Sequence, residues 1–267
     1  MAKPAAFFDL DRTLMSGSST FYFGKAVYRE GLMTGRRLIR DATAALLFQL
    51  FGASDEKSEA YRDRILASVA GTPAEVFQTM SPQVIEELLP RIRPEAQALL
   101  DRHLEAGRDV FIISASPVEI VSELAKALGI SGGLGTVSEV IDGVYTGKLA
   151  APFCYGEGKA TVLEQLAAER DYDLEKCYAY SDSISDLPMM QLVGNPIAVN
   201  PDRSLMSVAH RRGWPVVEFN RERKRFTKLA AGIGGAVAAG ATGYALGHHN
   251  GRQYVVRRLK PGRVFGR

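Results

Sequence analysis

The sequence of 267 residues lacks the cysteine and histidine patterns of disulfide-rich and zinc-binding proteins. It has only two cysteines, Cys154 and Cys177, and they show no CxxC spacing. Its four histidines show no zinc-ligand spacing within the first 219 residues. A chain of this size does not need disulfides to fold, so we expect both cysteines to be reduced, buried thiols in a cytoplasmic protein.

We expect no signal peptide at the start of this sequence, and two common catalytic motifs are missing from it. The apolar run at residues 5–8 is too short for a signal peptide and is followed at once by Asp9 and Asp11. The phosphate-binding loop motif fails around Lys159, because the next residue is alanine rather than serine or threonine. The G-x-S-x-G motif of serine hydrolases is missing. With 46% hydrophobic and 24% charged residues, the composition excludes a disordered chain and is typical of a globular protein.

Charge is distributed unevenly along the chain, although the formal net charge is only +3. Residues 220–267 contain 11 lysines and arginines and one acid, whereas the first 219 residues contain 22 basic and 29 acidic residues. Within this basic tail, the Gly- and Ala-rich segment 229–247 carries no charge and is predicted to be helical. It suits a membrane-associated anchor that contacts anionic lipid, or a helix that docks on the body or on a second subunit. A flexible nucleic-acid-binding tail is least favoured, so no nucleic-acid partner is expected.

Repeated strand–helix units predict an α/β fold with a parallel sheet and helices on both faces. Residues 16–90 have helical periodicity and few strand signals, so we expect a helical cap inserted into a core formed by residues 1–15 and 91–219. The predicted strands lie at residues 5–10, 109–113, 176–180, 197–199 and 216–219. The main predicted helices lie at residues 94–106, 117–128, 158–170 and 202–212, with a small hairpin around Asp142-Gly143.

Two aspartates follow the first predicted strand, in the segment Asp9-Leu10-Asp11-Arg12-Thr13. Carboxylates two residues apart in an extended chain point to the same side. Their like charges require a cation between them or a raised pKa in one of them. Because Mg²⁺ prefers oxygen ligands, this pair is a candidate magnesium site, although a merely polar exit from the strand would show the same residues.

Two serines follow the second predicted strand. Ser116, with Pro117 and Glu119, matches a capping box, which favours a structural role for Ser116 as a helix N-cap. Ser114 lies at the strand tip and would face the N-terminus of that helix, where free N–H groups favour an anion. Ser114 is therefore a candidate anion-binding residue or, with equal weight, an ordinary turn serine.

A lysine and two further aspartates lie at other strand ends and helix starts. Lys159 opens a predicted helix, where a cation opposes the helix dipole and so indicates a nearby phosphate or carboxylate. The alternative is an exposed lysine beside Glu157. Asp186 suits a helix N-cap, whereas Asp182 lies in the loop before that helix and is the better candidate metal ligand.

In this order, the motifs resemble those of the haloacid dehalogenase superfamily of phosphohydrolases, and in particular its phosphoserine-phosphatase-like subfamily IB. The segment from Asp9 to Thr13 matches the first motif, Ser114 the second, Lys159 the third, and Asp182 with Asp186 the fourth. The resemblance covers residues 5–219. It implies a Rossmann-like core with an inserted α-helical cap of the C1 type.

The resemblance also implies a role for each of these residues. Asp9 would be the nucleophile that forms an aspartyl-phosphate, and Asp11 would act as acid and then as base. Asp9, Asp182 and the Asp11 carbonyl would hold Mg²⁺, while Asp186 would support the metal site or Lys159. The residues implied to bind the phosphate of a small phosphomonoester substrate are Ser114, Ala115, Thr13 and Lys159.

The sequence departs from the phosphoserine phosphatases at one position. That group has an acid nine residues after the nucleophile to bind the substrate amine, whereas this chain has Ser18 there, and its next acid is Glu30. The apolar segment Leu46–Phe51, preceded by three arginines, would suit a lipid-like phosphate, although most apolar helix faces of this kind pack inside a domain. Two alternatives to hydrolysis are phosphate transfer to an acceptor alcohol and a non-catalytic, membrane-tethered binding module.

Overall fold

The computed structural model describes residues 3–29, 31, 62–63, 66–67 and 69–219 of the chain. The strands are β1 (Ala5–Phe8), β2 (Asp109–Pro117), β3 (Gly132–Thr136), β4 (Ser138–Ile141), β5 (Val144–Leu149), β6 (Tyr178–Ser181), β7 (Asn195–Val199) and β8 (Val216–Val217). Six of them form one sheet in the order β3-β2-β1-β6-β7-β8, and every neighbouring pair is parallel. Strands β4 and β5 pair separately as the predicted antiparallel hairpin.

Helices cover both faces of the sheet, which confirms the predicted α/β class. The α-helices are α1 (Ser19–Arg29), α2 (Ala74–Leu88), α3 (Pro94–Glu105), α4 (Val118–Ala127), α5 (Glu157–Arg170), α6 (Leu187–Leu192) and α7 (Arg203–Arg212). In β1, Phe8 packs into the core formed with α2, α3 and α4, whereas Phe7 packs into the core formed with α5, α6 and α7. Because both faces are buried, the strand is apolar throughout instead of alternating with polar residues.

The glycine-rich segment that forms β3 is not predicted as a strand, because glycine has a low strand propensity. The structure shows why glycine is needed there. A Cβ atom at Gly133 would lie 2.3 Å from the Val121 carbonyl oxygen, and one at Gly135 would lie 2.7 Å from the Ser116 carbonyl oxygen. The backbone of α4 and the end of β2 approach β3 so closely that tertiary packing overrides local propensity.

The predicted capping box at Ser116 is wrong. Strand β2 continues through Ser116 to Pro117, and Pro117 is the N-cap of α4 without any side-chain hydrogen bond to the helix. The Ser116 hydroxyl is instead buried, with its oxygen 2.6 Å from the Ser19 hydroxyl oxygen. The capping pattern is local, whereas this partner lies 97 residues away in the sequence.

Other boundaries differ from the predictions by a few residues. Strands β1 and β8 end two residues earlier than predicted. Strand β6 begins at Tyr178 instead of residue 176, because Leu174–Lys176 form a 3₁₀ turn that ends just before it. The shorter β1 places Asp9 immediately outside the strand, in the loop.

The expected cap, residues 16–90, lies partly outside the described residues, as does the whole of its segment Leu46–Phe51. Of its described helices, α1 and α2 pack together through the stacked rings of Phe23 and Phe77, whose centroids are 5.4 Å apart. Lys25 Nζ lies 2.9 Å from Glu87 Oε2 and adds an ion pair between the two helices. The domain boundaries after residues 15 and 90 stay a prediction.

The basic tail, residues 220–267, lies outside the described residues, and its interpretation as an anchor stays a prediction. In the part of the chain that the structure describes, none of the helices combines the length and the apolar character that crossing a membrane requires.

Candidate active site

Apart from Lys159, which lies in the first turn of α5, the predicted site residues lie at or shortly after the carboxyl ends of three neighbouring strands, β2, β1 and β6. Asp9 directly follows β1, and its N–H donates to the carbonyl of Tyr180 in β6 at 2.9 Å. Asp182 directly follows β6. Ser114 lies two residues beyond Ile112, the residue of β2 that pairs with the end of β1. The parallel sheet thus brings motifs that are far apart in sequence to one edge, where α/β proteins bind their ligands.

Lys159 connects the first and fourth motifs through two buried ion pairs. Its Nζ lies 2.6 Å from Asp9 Oδ1 and 2.9 Å from Asp186 Oδ2. Only 3% of Lys159 is exposed to solvent, so the alternative of an exposed lysine beside Glu157 is wrong. Burial lowers the pKa of Lys159, but the Asp186 and Asp9 carboxylates raise it more, and the net shift is upward. Lys159 is therefore a fixed cation at the centre of the cluster.

Two glycines set the position of Lys159 at the start of α5. Gly156, the N-cap residue, has a φ of 57°, in the left-handed region that favours glycine. A Cβ atom at Gly158 would lie 1.8 Å from the Phe153 carbonyl oxygen, so no side chain fits at this position. The chain before α5 therefore folds tightly against the first helical turn and directs Lys159 inward.

Asp186 is a partner of Lys159 and not the helix cap that its position in sequence suggests. No side-chain hydrogen bond caps α6, although Asp186 is its N-cap residue. Its Oδ2 instead accepts hydrogen bonds from Lys159 Nζ at 2.9 Å and from the Ser181 hydroxyl at 2.7 Å. Its Oδ1 is buried and has no hydrogen-bond partner among the described residues. One oxygen thus supports Lys159, and the other is left for a further ligand.

Asp182 is buried and lies beside an arginine from the first motif. Arg12 Nε is 3.0 Å from Asp182 Oδ2. The Asp182 carbonyl accepts the N–H of Asp202 at 2.7 Å, and Asp202 Oδ2 accepts the N–H of Ile184 at 2.9 Å. Asp202, which also caps α7, therefore holds the loop that carries Asp182 and Asp186.

The site contains more buried negative charge than positive charge. Burial raises the pKa of Asp9 to about 7, and the nearby Asp186 and Asp11 carboxylates raise it while Lys159 lowers it. Burial also raises the pKa of Asp182 to about 8, with a further increase from Asp9 and a decrease from Arg12. Carboxylates that raise each other's pKa in this way favour an additional cation between them.

The donor set of this cluster fits Mg²⁺. The predicted ligands Asp9 and Asp182 are buried carboxylates that interact electrostatically, and the Asp11 carbonyl would be a third oxygen ligand. Asp186 Oδ1 is a further buried hard oxygen atom, and it has no hydrogen-bond partner among the described residues. The described residues contain no group of three or more His, Cys, Asp or Glu side chains arranged to hold a metal, so the ligand set stays a prediction.

Ser114 and Thr13, both predicted to bind phosphate, are buried. Ser114 Oγ accepts the N–H of Ser116 at 3.2 Å, which leaves its own proton for another acceptor. Thr13 Oγ1 has no hydrogen-bond partner in the described part of the chain. The Ala115 carbonyl accepts from the Thr136 hydroxyl at 2.7 Å, and this bond fixes the end of β2.

Cys154 places Ser114 close to the charged cluster. Its buried thiol accepts the N–H of Ser114 and interacts electrostatically with Lys159, Asp186 and Asp9. Burial raises the pKa of Cys154 to about 12, so the thiol is protonated. Cys154 and Cys177 are both free and buried, as predicted.

Asp11 differs from the other carboxylates, because it bonds to hydroxyl groups instead of cations. Its Oδ1 accepts from the Ser19 N–H at 2.8 Å and from the Ser19 hydroxyl at 2.6 Å, and its Oδ2 accepts from the Ser18 hydroxyl at 3.2 Å. Burial raises the pKa of Asp11, and these bonds lower it. The position where phosphoserine phosphatases have an amine-binding acid is thus occupied by a serine that contacts Asp11.

Several residues that lie in or next to the site in the structure were not predicted as site residues. Of these, only Ser181 had a usable signal, because it lies at a strand end directly before Asp182. The others are recognisable only from contacts between distant segments: Arg12, Ser19, Ser116 and Asp202. A separate cavity of about 290 Å³ at the amino end of β7, lined by Asn195, Arg212 and Trp214 among others, contains none of the predicted site residues.

Comparison with known proteins gives consistent matches. The model of the haloacid dehalogenase-like hydrolases matches residues 6–191. A probable phosphatase from Mycobacterium tuberculosis (strain ATCC 25618 / H37Rv) is 42% identical over 258 residues, which cover 92% of this chain and 89% of the relative. A phosphoserine phosphatase from the same strain is 37% identical over 244 residues, which cover 91% of this chain and 78% of the relative.

A solved structure extends these matches to the fold. A phosphoserine phosphatase with an analogue of its phospho-aspartyl intermediate has a TM-score of 0.60 and 17% identity, covering 86% of this chain and 99% of that chain. It shares the Rossmann-like α/β fold, as predicted. The family model and the relatives likewise confirm the predicted class of enzyme, a phosphatase. The chain therefore belongs to the haloacid dehalogenase-like hydrolase family.

Proposed function

We propose that this chain hydrolyses small phosphomonoesters with Mg²⁺, through an aspartyl-phosphate formed on Asp9. The observation that carries this proposal is the position of Lys159 Nζ between Asp9 and Asp186, at 2.6 and 2.9 Å, inside a buried group of carboxylates. A carboxylate attacks a phosphoryl group only when the repulsion between their negative charges is relieved. A buried cation in direct contact with Asp9 meets part of that need.

In the first half of the reaction, an Asp9 carboxylate oxygen attacks phosphorus. The bond between phosphorus and the ester oxygen breaks, and Asp11 gives a proton to the departing alkoxide. In the second half, water attacks the phosphorus of the aspartyl-phosphate, and Asp11 takes a proton from that water. Inorganic phosphate leaves, and Asp9 returns to a carboxylate. Ser114, the Ala115 N–H, Thr13 and Lys159 bind the phosphoryl oxygens.

The proposed metal ligands are Asp9, Asp182 and the Asp11 carbonyl. When bound there, Mg²⁺ neutralises charge that develops on the transferring phosphoryl group. Asp186 positions Lys159 with one oxygen, and its second oxygen is buried without a hydrogen-bond partner among the described residues. Arg12 balances part of the charge on Asp182.

The proposed substrate is a small phosphorylated metabolite or a lipid phosphate. The relative named phosphoserine phosphatase favours an amino-alcohol phosphate. Against phosphoserine itself stands Ser18, whose hydroxyl contacts Asp11 and brings no negative charge to bind an amine. Release of phosphate from phosphoserine, other amino-alcohol phosphates and lysophosphatidate, measured in parallel, will distinguish these classes.

Replacement of the nucleophile tests the chemistry. Asp9→Asn keeps the shape of the side chain but removes the attacking carboxylate, so we expect kcat to fall at least about 1,000-fold for every substrate. Asp101→Asn, the same change on the exposed surface of α3, is the matched control and keeps full activity. Acid-quenched wild-type enzyme should carry phosphate on Asp9, detected by mass spectrometry, and the variant should not.

Metal removal provides a second measurement in the same experiment. Chelation with EDTA should abolish turnover, and added Mg²⁺ should restore it. Near-normal activity of Asp9→Asn, or full wild-type activity in EDTA, would refute the proposed mechanism. If phosphate passes to added alcohols in place of water, the enzyme is a phosphotransferase that uses the same intermediate.

A further inference from the structure

Asp11 is held from one side by the first residue of α1. Ser19 is completely buried, and Asp11 Oδ1 accepts both its N–H at 2.8 Å and its hydroxyl at 2.6 Å. Asp11 Oδ2 has a single, longer contact of 3.2 Å, with the hydroxyl of the partly exposed Ser18. The two carboxylate oxygens of Asp11 therefore have different environments, with two short bonds on one oxygen and one long bond on the other.

The Ser19 hydroxyl is in turn bonded to Ser116, at the end of β2. The two hydroxyl oxygens are 2.6 Å apart, and both residues are buried. Ser19 has one hydroxyl proton and gives it to Asp11, so Ser116 must be the donor in the bond to Ser19. The Ser116 N–H donates to Ser114 Oγ at 3.2 Å. A directed chain thus runs from Ser116 through Ser19 to Asp11.

This chain joins three separate parts of the molecule. Asp11 belongs to the loop after β1, Ser19 opens α1, and Ser116 lies in β2. A hydrogen bond that merely capped α1 would need only the Ser19 N–H. The Ser19 and Ser116 hydroxyls add nothing to such a cap, yet both are buried: the Ser19 hydroxyl bonds to Asp11 Oδ1, and the Ser116 hydroxyl bonds to the Ser19 hydroxyl.

We propose that the Ser116–Ser19 hydroxyl pair positions Asp11 for proton transfer to the leaving group. Ser19 occupies Oδ1 and Ser116 holds the Ser19 hydroxyl in place, so Oδ2 is the oxygen left to carry the transferable proton toward the departing ester oxygen. Ser19 and Ser116 are positioning residues, since they act through Asp11. The inference rests on the proposed function, in which Asp11 is the acid of the first step.

Leaving-group dependence separates this role from a structural one. A good leaving group departs without a proton, whereas a poor one requires the acid. The probes are aryl phosphates of similar size, from 2,4-dinitrophenyl phosphate through 4-nitrophenyl phosphate to phenyl phosphate. The quantity measured is kcat/KM, which reports the steps up to departure of the leaving group.

In Ser19→Ala, we expect kcat/KM to fall about 100-fold for phenyl phosphate and less than about threefold for 2,4-dinitrophenyl phosphate. Ser116→Ala keeps both direct bonds from Ser19 to Asp11, so its loss for phenyl phosphate should be smaller, about tenfold. Ser19→Thr and Ser116→Thr keep the hydroxyls and should restore the wild-type dependence. Ser207→Ala, which removes an exposed hydroxyl on α7, is the matched control and should leave every rate unchanged.

Equal losses for all aryl phosphates, or wild-type rates in both alanine variants, would overturn the inference. Ser116→Ala decides the question alone if the Ser19 variants do not fold, because it leaves the start of α1 intact. Failure of the proposed function looks different. In that case wild-type enzyme hydrolyses no aryl phosphate, or Asp9→Asn is as active as wild type, and the inference fails with it.

Discussion

Lys159→Met should destabilise the protein strongly, because it removes a buried cation and leaves its two carboxylate partners behind. Methionine has a similar length and no charge, so the change tests the ion pairs with Asp9 and Asp186 and hardly alters packing. Removing one partner of a buried pair costs about 3–5 kcal/mol, because the remaining charge is uncompensated. For a chain of this size, that corresponds to a fall in Tm of roughly 6–20 °C.

The cost should also depend on pH, with a definite sign. Lys159 lowers the pKa of Asp9, so its removal raises that pKa above the value of about 7. Below about pH 7, Asp9 is protonated in both folded proteins, so their stabilities change in parallel. Above about pH 7, only the folded variant keeps a proton that the unfolded chain has released, so its stability continues to fall. The loss relative to wild type should therefore be larger at pH 8 than at pH 5.

The assay is urea unfolding in EDTA, followed by circular dichroism at both pH values. Lys126→Met is the matched control, because Lys126 forms an exposed ion pair with Glu123 on α4 and such pairs contribute little. If the two variants have the same free energy of unfolding, or if the Lys159→Met loss does not change with pH, Lys159 is not the buried counter-ion described here.

Two further predictions concern Gly158 and His103. Gly158→Ala places a Cβ atom 1.8 Å from the Phe153 carbonyl oxygen, so the start of α5 must shift. Both the turnover rate and Tm should therefore fall. In the control variant, Gly107→Ala at an exposed position, only Tm should fall. Burial lowers the pKa of His103 from 6.5 to about 4, so the unfolded chain binds a proton that the folded chain does not. The stability of wild type relative to His103→Phe should therefore rise by about 3 kcal/mol between pH 4 and 6.5 in urea titrations, and a flat difference would contradict it.

The sequence predicted the residues whose position follows from strand order. Asp9, Ser114 and Asp182 each follow an apolar run, and parallel strands place the ends of such runs together. The position of Lys159 next to an anion was predicted from a different rule, because a cation at a helix N-terminus opposes the helix dipole and needs a compensating anion. In both cases a local pattern, combined with one general rule, was enough to predict the position.

The remaining site residues depend on contacts that no local pattern contains. Ser116 satisfies the capping-box pattern, yet its partner is Ser19 and not the helix that follows. Asp186 occupies an N-cap position, but pairing with Lys159 outweighs capping because an unpaired buried cation costs more than an uncapped helix. Gly133 has no strand propensity, and the close backbone of α4 decides its conformation.

The high cost of an unpaired buried charge also explains how the site is organised. Asp9, Asp182 and Asp186 are buried carboxylates. In the described chain, Lys159 lies beside Asp9 and Asp186, and Arg12 lies beside Asp182. Asp11 is the exception, because its partners are neutral hydroxyls that leave it able to exchange a proton. Lys159 lowers the pKa of Asp9 against the effect of burial and so favours the ionised form that attacks phosphorus, whereas the hydroxyls that hold Asp11 suit proton transfer. The difference in partners, more than the shared residue type, therefore separates the proposed nucleophile from the proposed acid.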